Sequence, residues 1–453
     1  MKILHFELLL FFTLSMVSIV LFLFDVYVDI SVTIFLLMAI IFYVFASPRL
    51  KGRNFSKIVM IVFMAPFVHL YEYLTYGYEQ RINAFGLLMS NPYSFVQPII
   101  ENMGTMAVIG SLGLLMGFLL GLDNRRHTDA ENKEYRALPM AGYLLFIAFS
   151  LFFAYIDKPV QSIAEANYTA SVNLLQQAGV SFNGAWQLSY VLLAVTYIDS
   201  LLSHHKTKKY LFFAALLIES YWQFSTGNRE IIGFYLFLLV MVAYRIKNTK
   251  NIIYLLILAL LLLVVSQVIG ALRSIATDKN ALEMISLMYD NFHFNRLLQG
   301  TWSAVCLTPL SVSGDYYYGL LNFKYGSTYL DYILSLPPSF LADFVGYTRP
   351  INGLAGPAWE MRYGIGGTHA LVVPFMNFGI MGIYLVMLLY GLLLSKIESR
   401  LKNNNFYDLL LVGVFCISIL FWFWYGEMYM VRGLMAYAFA AILYFAAVKI
   451  KLR

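Results

Sequence analysis

Residues 3–24 read ILHFELLLFFTLSMVSIVLFLF and form a nearly unbroken apolar run. A helix needs about 20 mainly apolar residues to cross the hydrocarbon core of a bilayer, so this run is long enough for one crossing. It lacks a cleavage site of small residues. We therefore predict a retained membrane helix, not a removed signal peptide.

The rest of the chain has the same apolar character. Of its 453 residues, 60% are hydrophobic and 12% are charged, and the mean hydropathy is +0.70. Soluble domains carry about 25% charged residues, so this chain has too little charge to cover a wet surface. This composition excludes a soluble enzyme, a disordered chain and a nucleic-acid-binding domain. Only two cysteines are present, which excludes a disulfide framework.

The apolar runs predict an all-α polytopic membrane protein with about twelve transmembrane helices. They lie near Ile3–Phe24, Ser31–Ala46, Ile58–Tyr71, Met103–Leu122, Leu138–Ile156, Ala185–Leu202, Tyr210–Phe224, Ile231–Tyr244, Asn251–Gly270, Pro374–Ser395, Tyr407–Tyr425 and Met430–Val448. The N-terminus, the C-terminal tail and the short loops on the same side hold 21 of the 31 Lys and Arg residues. Because basic residues concentrate in cytoplasmic loops, we predict that both termini are cytoplasmic and that the net charge of +6 reflects topology.

These runs divide the chain into three parts: nine helices in 1–270, an outward loop in 271–373 and three helices in 374–453. The cytoplasmic loops are too short for a nucleotide-binding domain, and no phosphate-binding glycine loop occurs, so ATP hydrolysis is not expected. A loop as long as the outward one is usually functional or structured. We expect it to be partly helical, with Leu297–Leu321 as a partly buried or re-entrant segment, and to lie near the chemistry.

The outward basic residues are mostly arginine, seven of ten. The guanidinium group binds phosphate oxygens in pairs and is less strongly hydrated than an ammonium group. The bias indicates an anionic ligand such as a lipid pyrophosphate. Pairing of each arginine with a nearby acid is the alternative.

The motif STGNRE at 225–230 interrupts an apolar stretch that runs from Tyr210 to Tyr244. An ionisable pair between two spans is costly unless it has a partner or a role, so Arg229 is a candidate binding residue. A tight turn at Gly227, with Arg229 extended toward the interface, is the alternative.

A second motif, GIGGTH at 364–369, leads into the tenth predicted span. Its glycines allow the backbone to approach a ligand closely, and the near-neutral pKa of a histidine suits proton transfer. The alternative is an interfacial His369 bound by a carbonyl group. Asn377, Phe378 and Gly379 follow inside the span and are expected to face the same cavity.

Three other side chains are weaker candidates. Tyr317 and Tyr325 have apolar faces and polar tips that suit sugar stacking, although tyrosines also anchor span ends. Glu219 lies within a span, where an ionisable group requires a partner, a wet cavity or a proton-handling role. No His, Cys and Asp cluster has metal-ligand spacing, so neither a metal nor a cofactor is predicted.

On these motifs the chain resembles the Wzy-type O-antigen and capsule polymerases, which join oligosaccharide repeat units. The matching features are the 225–230 motif, the large outward loop, and its exit through Gly366, Gly367, Thr368 and His369 into Asn377-Phe378-Gly379. The resemblance implies a GT-C-like membrane glycosyltransferase in a bacterial inner membrane. Its substrates would be undecaprenyl-pyrophosphate-linked oligosaccharides, and a chain-length regulator is a candidate partner. Nucleic acid is not expected as a partner.

The resemblance also implies roles for the candidate residues. His369 would accept or orient the proton of the acceptor hydroxyl, with Glu219 or Glu360 as alternatives. The residues expected to bind pyrophosphate or glycan are Arg229, Arg273, Arg296, Arg349, Arg362, Gly366, Gly367, Thr368, Tyr317 and Tyr325.

Two other functions compete with this prediction. An O-antigen ligase would transfer finished glycan to lipid A core, and the histidine at the loop exit favours it. A flippase for the lipid-linked unit is the other. Transporters of this length usually have two matching halves, whereas the outward loop at 271–373 has no counterpart in the first half.

Overall fold

The protein is described by a computed structural model that covers residues 2–26, 29–50, 53–74, 96–123, 135–157, 185–225, 231–245, 306, 308–334, 345–346, 369–401, 405–426 and 428–449. Within these residues the regular structure is helical and no strand occurs. The helices are α1 (Lys2–Leu23), α2 (Ile30–Ala46), α3 (Asn54–Leu74), α4 (Gln97–Asp123), α5 (Met140–Asp157), α6 (Ala185–Leu202), α7 (Lys206–Ser225), α8 (Ile232–Arg245), α9 (Ser327–Leu334), α10 (Val372–Arg400), α11 (Phe406–Tyr425) and α12 (Met428–Lys449). A 3-10 turn, Pro48–Leu50, follows α2, and residues 308–317 are also helical.

The predicted spans agree with these helices. Eleven of the twelve predicted stretches coincide with a helix, and the remaining one, Asn251–Gly270, lies outside the described residues. Four helical segments in the described part of the chain are long and apolar enough to cross a membrane: Phe6–Leu23, Gln97–Leu122, Val372–Arg400 and Tyr429–Lys449. The all-helical class with apolar, membrane-compatible helices is therefore as predicted. The number of crossings, their orientation and a GT-C-like arrangement stay predictions.

Exposed apolar side chains form stripes along several of these helices. On α2, Phe35, Met38, Phe42 and Phe45 recur at helical spacing, and the three phenylalanines are 61–72% exposed. A contiguous apolar face of this kind is unfavourable in water but not in contact with lipid chains. The exposed stripes therefore fit a protein embedded in hydrocarbon.

The chain forms two compact units. The first comprises Met1–Asp129, Leu298–Ser399 and Phe421–Tyr429, and the second comprises Ala130–Leu297, Arg400–Leu420 and Met430–Arg453. In the first unit α4 is the most enclosed of the four long apolar helices, because 83% of its apolar window is buried. Helices α1, α2 and α3 pack against it.

Glycines bring α4 into backbone contact with α10. A Cβ atom at Gly117 would lie 1.9 Å from the carbonyl oxygen of Leu388, and one at Gly391 would lie 2.1 Å from that of Leu114. Both distances are far below contact, so only glycine fits at this crossing. Small residues that allow such close approach are typical of helix pairs in membranes, where dispersion contacts provide much of the attraction.

Residues 308–317 form a helix within Leu297–Leu321, which the sequence predicted to be a partly buried or re-entrant segment. Pro309 and Gly314 both lie within residues 308–317, and neither ends the helix. Residues 308–315 are buried, in agreement with the predicted partly buried segment. Ser313 Oγ donates a hydrogen bond to the carbonyl oxygen of Ile99 at 2.8 Å, which ties this helix to α4.

A buried ion pair ties together one end of the second unit. Lys208 Nζ donates to Asp199 Oδ2 at 2.6 Å and to the carbonyl oxygen of Leu138 at 2.7 Å. Asp199 Oδ1 accepts from the Leu138 N–H at 2.8 Å and from the Tyr135 hydroxyl. The pair connects the start of α5 with the end of α6 and the start of α7.

Candidate functional site

The candidate site begins at a break in α10. Phe378 (φ −137°, ψ 16°) and Gly379 (φ 63°, ψ −154°) leave helical geometry within the first two turns. The Gly379 conformation is one that side-chain-bearing residues rarely adopt. The sequence motif Asn377-Phe378-Gly379 therefore encodes an interruption inside a helix of membrane-spanning length, where freed backbone groups must find other partners.

The turn Lys324–Gly326 supplies a partner for one freed backbone carbonyl and a second partner for a side chain next to the break. The Lys324 N–H donates to the carbonyl oxygen of Met376 at 2.8 Å. The Gly326 N–H donates to Asn377 Oδ1 at 2.9 Å, and Asn377 Nδ2 donates to the Val373 carbonyl oxygen at 2.8 Å. The fully buried Asn377 thus links the turn to the helix on the N-terminal side of the break.

Aromatic contacts hold the same region together. Phe378 stacks on Tyr329 of α9, with ring centroids 6.0 Å apart and an interplanar angle of 8°. Tyr316 and Phe323 both contact Phe375, at 5.3 and 6.2 Å between centroids. Residues 316–329 are therefore anchored to the break itself and to the helical turn before it.

The predicted sugar-stacking tyrosines lie in this anchored segment with their rings exposed. Tyr325 is 82% exposed and has a positive φ of 48°, unusual for a bulky residue. Lys324, beside it, is also exposed. Tyr317 and Tyr318 are about half exposed and meet edge to face at 5.2 Å between centroids. The backbone is fixed beneath side chains that remain open to a ligand.

His369 lies three residues before α10 and is buried among phenylalanines. Its ring is 1% exposed and is 5.2 Å from Phe67 and 6.1 Å from Phe63 between centroids. Its Nδ1 accepts a hydrogen bond from the Leu371 N–H at 3.1 Å. Burial lowers the pKa of His369 from 6.5 to about 3, so the ring is neutral and Nε2 carries the proton. The sequence had predicted an interfacial histidine with a near-neutral pKa. The phenylalanines of α3 explain the difference.

Glu219 belongs to the second unit and is fully buried on α7. It is hydrogen-bonded to the hydroxyl of Ser150 on α5, which in turn donates to the carbonyl oxygen of Ser189 on α6 at 2.9 Å. The predicted role of Glu219 as a general base requires a carboxylate. Its surroundings offer the hydroxyls of Ser150 and Ser189 and no cation among the described residues.

The other predicted site residues lie outside the described residues: Arg229, Arg273, Arg296, Arg349, Glu360, Arg362, Gly366, Gly367 and Thr368. Their roles stay predictions. Among the residues that are described, no group of three or more His, Cys, Asp or Glu side chains could hold a metal ion.

Lys324 and Gly326 were not expected from the sequence to be partners of the helix break. The polar Asn377 and the flexible Gly379 interrupt an apolar run, and this pattern indicates a break in the helix. No local pattern indicates that the segment around Gly326, which follows an aromatic residue, pairs with the break. Comparison with known proteins gives no further guide: no family model, curated protein or solved structure matches the chain.

Proposed function

We propose that the protein is a glycosyltransferase that polymerises undecaprenyl-pyrophosphate-linked oligosaccharide repeat units on the outward face of a bacterial inner membrane. The observation that carries the proposal is the break in α10, tied by Asn377 to a turn that presents Tyr325. Interrupted helices at membrane depth occur where the backbone lines a substrate site.

The exposed groups at this turn suit a lipid-linked sugar. Tyr317, Tyr318 and Tyr325 provide aromatic faces for sugar rings, and the ammonium group of Lys324 provides a positive charge for a pyrophosphate. The adjacent stripe of Met381, Leu385 and Leu389 on α10 is exposed and apolar, which suits the hydrocarbon of the substrate and the bilayer alike. A lipid-linked sugar has a polar part that would match the turn and a hydrocarbon part that would match the stripe on α10.

In the proposed reaction an acceptor hydroxyl oxygen bonds to the anomeric carbon of the donor glycan. The bond from that carbon to the pyrophosphate oxygen breaks, and undecaprenyl pyrophosphate leaves. Because the leaving group is good, positioning and charge stabilisation are the main requirements. Arg229, Arg273, Arg296, Arg349 and Arg362 are the proposed ligands of the departing charge.

The geometry refines the proposed role of His369. Its Nδ1 lone pair is occupied by the Leu371 N–H, so a proton on Nε2 can be donated to an oxygen but not taken from one. We therefore propose that His369 orients the acceptor hydroxyl. Glu360 remains the proposed base, because the arrangement around Glu219 does not favour a carboxylate.

The test is a polymerisation assay with purified protein in vesicles and a lipid-linked repeat unit as the sole substrate. We expect a ladder of lipid-linked glycans. In a second reaction that also contains lipid A core, transfer to that acceptor without a ladder would establish the ligase instead. Movement of the unit between leaflets without elongation would establish the flippase.

A variant pair connects the assay to the candidate site. Tyr325→Asn removes the ring but retains a residue that tolerates positive φ, so the turn should persist. We expect a shortened ladder for Tyr325→Asn and a normal ladder for Tyr325→Phe. Tyr210→Ala removes an equally exposed ring from α7 and serves as the control. Equal shortening in all three variants would exclude a specific role for Tyr325.

A further inference from the structure

Two glutamates in the described residues are buried almost completely, Glu219 and Glu398. Their hydrogen-bond partners differ in kind. Glu398 Oε2 accepts from the Ser56 N–H at 2.9 Å and from the Ser56 hydroxyl at 2.7 Å. Ser56 lies in the first turn of α3, where the helix dipole favours negative charge. Two donors and a helix N-terminus identify Glu398 as a carboxylate.

The hydrogen bonds around Glu219 differ from those around Glu398. Ser150 Oγ contacts Glu219 Oε1, lies 2.9 Å from the Ser189 carbonyl oxygen and lies 3.4 Å from Ser189 Oγ. A serine hydroxyl has one proton, and a carbonyl oxygen can only accept. If the Ser150 proton goes to the Ser189 carbonyl, the proton between Ser150 and Glu219 must come from the glutamic acid.

The second oxygen of Glu219 agrees with this assignment. Oε2 is buried and has no hydrogen-bond partner among the residues that the structure describes. An ionised carboxylate in this position would leave most of its charge without donors, which is far more costly than leaving one neutral carbonyl oxygen unbound. The hydrogen-bonding groups at this site therefore suit a neutral glutamic acid better than a glutamate anion.

No described cation compensates a charge at Glu219. Lys208, on the same helix, is paired with Asp199. Asp199 follows Ser189 by ten residues, or about 15 Å along α6. Asp157 ends α5 seven residues after Ser150, about 10 Å away, and is itself acidic. The other titratable groups within helices α5 to α8 are phenols: Tyr143, Tyr155, Tyr190, Tyr197, Tyr210, Tyr221, Tyr235 and Tyr244. The remaining charged groups are at helix ends: Lys206, Lys209 and Arg245.

We propose that Glu219, Ser150 and Ser189 form an intramembrane binding site for one proton, in which Glu219 is a neutral carboxylic acid at neutral pH. Helices α5, α6 and α7 contribute one side chain each, so the site requires their packed arrangement. Ionisable groups within apolar helices are rare and mark functional sites. This proposal does not depend on the glycan chemistry proposed above.

Infrared spectroscopy of the full chain in vesicles at pH 7 tests the proposal. The spectrum of Glu219→Gln is subtracted from that of the unsubstituted protein, and the same is done for Glu398→Gln. We expect the carbonyl band of one protonated carboxylic acid in the Glu219 difference and carboxylate bands in the Glu398 difference. Carboxylate bands in both differences would overturn the proposal.

A third variant gives a result even if Glu219→Gln fails to fold. Ser150→Ala retains the glutamic acid and removes its hydrogen-bond partner. The proposal predicts that the carboxylic acid band persists and moves to higher frequency, because the hydrogen bond that lowers its frequency is lost. Absence of such a band in both the unsubstituted protein and Ser150→Ala would show that Glu219 does not bind a proton.

Discussion

Asn377 Oδ1 accepts a hydrogen bond from the Gly326 N–H at 2.9 Å, across 51 positions of sequence. The same side chain donates to the Val373 carbonyl oxygen, one turn back in its own helix. One buried amide therefore fixes both the helix before the break and the turn that presents Tyr325. This hydrogen bond therefore couples the break in α10 to the distant turn Lys324–Gly326.

Replacement of Asn377 by leucine should destabilise this feature. The part-buried Gly326 N–H would lose its acceptor, which for a fully buried group costs about 1–3 kcal/mol and sets the upper end of the expected loss. We expect a lower unfolding midpoint and a shorter glycan ladder. Asn405→Leu removes a different helix-start amide, which accepts from the Tyr407 N–H at 3.1 Å. It should affect stability without changing the ladder. Identical ladders for both variants would contradict the prediction.

Gly379→Ala should also be destabilising, through backbone strain and not through crowding. The φ of 63° is unfavourable for alanine, whereas an added Cβ atom would lie 3.8 Å from its nearest neighbour, an atom of the Phe323 ring. We expect a loss of about 1–3 kcal/mol in the free energy of unfolding. Gly142→Ala in α5 is the matched control, because its φ is helical and its nearest neighbour is 3.6 Å away. A loss in Gly142→Ala as large as that in Gly379→Ala would disprove the strain explanation.

The ion pair between Asp199 and Lys208 leads to a double-mutant prediction. Lys208→Met alone leaves a buried carboxylate without its cation, at a cost of about 3–5 kcal/mol. Adding Asp199→Asn removes the stranded charge, so we expect the double variant to be more stable than Lys208→Met. Denaturant titration measures both. Strict additivity of the two single changes would argue against direct coupling.

His369 should make the protein sensitive to acid. Its folded pKa of about 3 lies below the ordinary value of 6.5, so between these pH values the unfolded chain binds more protons. Stability contributed by neutral His369 is complete above pH 6.5 and falls by up to about 1.4 kcal/mol per pH unit below it. We expect His369→Gln to have a flatter stability profile over this range than the unsubstituted protein.

The exposed His205 provides the comparison for this profile. His205→Gln exchanges one exposed side chain for another and serves as the matched control for the His369→Gln profile. If His369→Gln and His205→Gln give the same profile, burial of His369 does not control acid stability.

The helices were predictable from sequence because each apolar run is a local pattern with a length fixed by the bilayer. The contacts between them were not. The predicted spans Ala185–Leu202 and Tyr210–Phe224 place residues 203–209 in a loop, and His204 and His205 are exposed. However, α7 begins at Lys206, and Lys208 is buried against Asp199. Periodicity cannot reveal which lysine of a basic loop turns inward.

In the candidate site, too, single residues were predictable from the sequence but the contacts between them were not. Tyr325 and Asn377 were both candidates from residue type alone, yet their connection through Gly326 depends on a loop docking 51 residues from its partner. His369 was identified by its position after glycines, but the phenylalanines that neutralise it lie on α3, about 300 residues earlier. Distant segments set the chemistry of locally recognisable residues.

The close contact between α4 and α10 at Gly117 also determines when the first unit can assemble during synthesis. Gly117 leaves the ribosome about 270 residues before Leu388, the residue its backbone must touch. At about 5–20 residues per second this interval is on the order of tens of seconds. During that time the face of α4 that packs on α10 lacks its native neighbour. Assembly of the first unit is therefore completed only late in translation, and chains truncated before residue 388 should be recognised by membrane quality control.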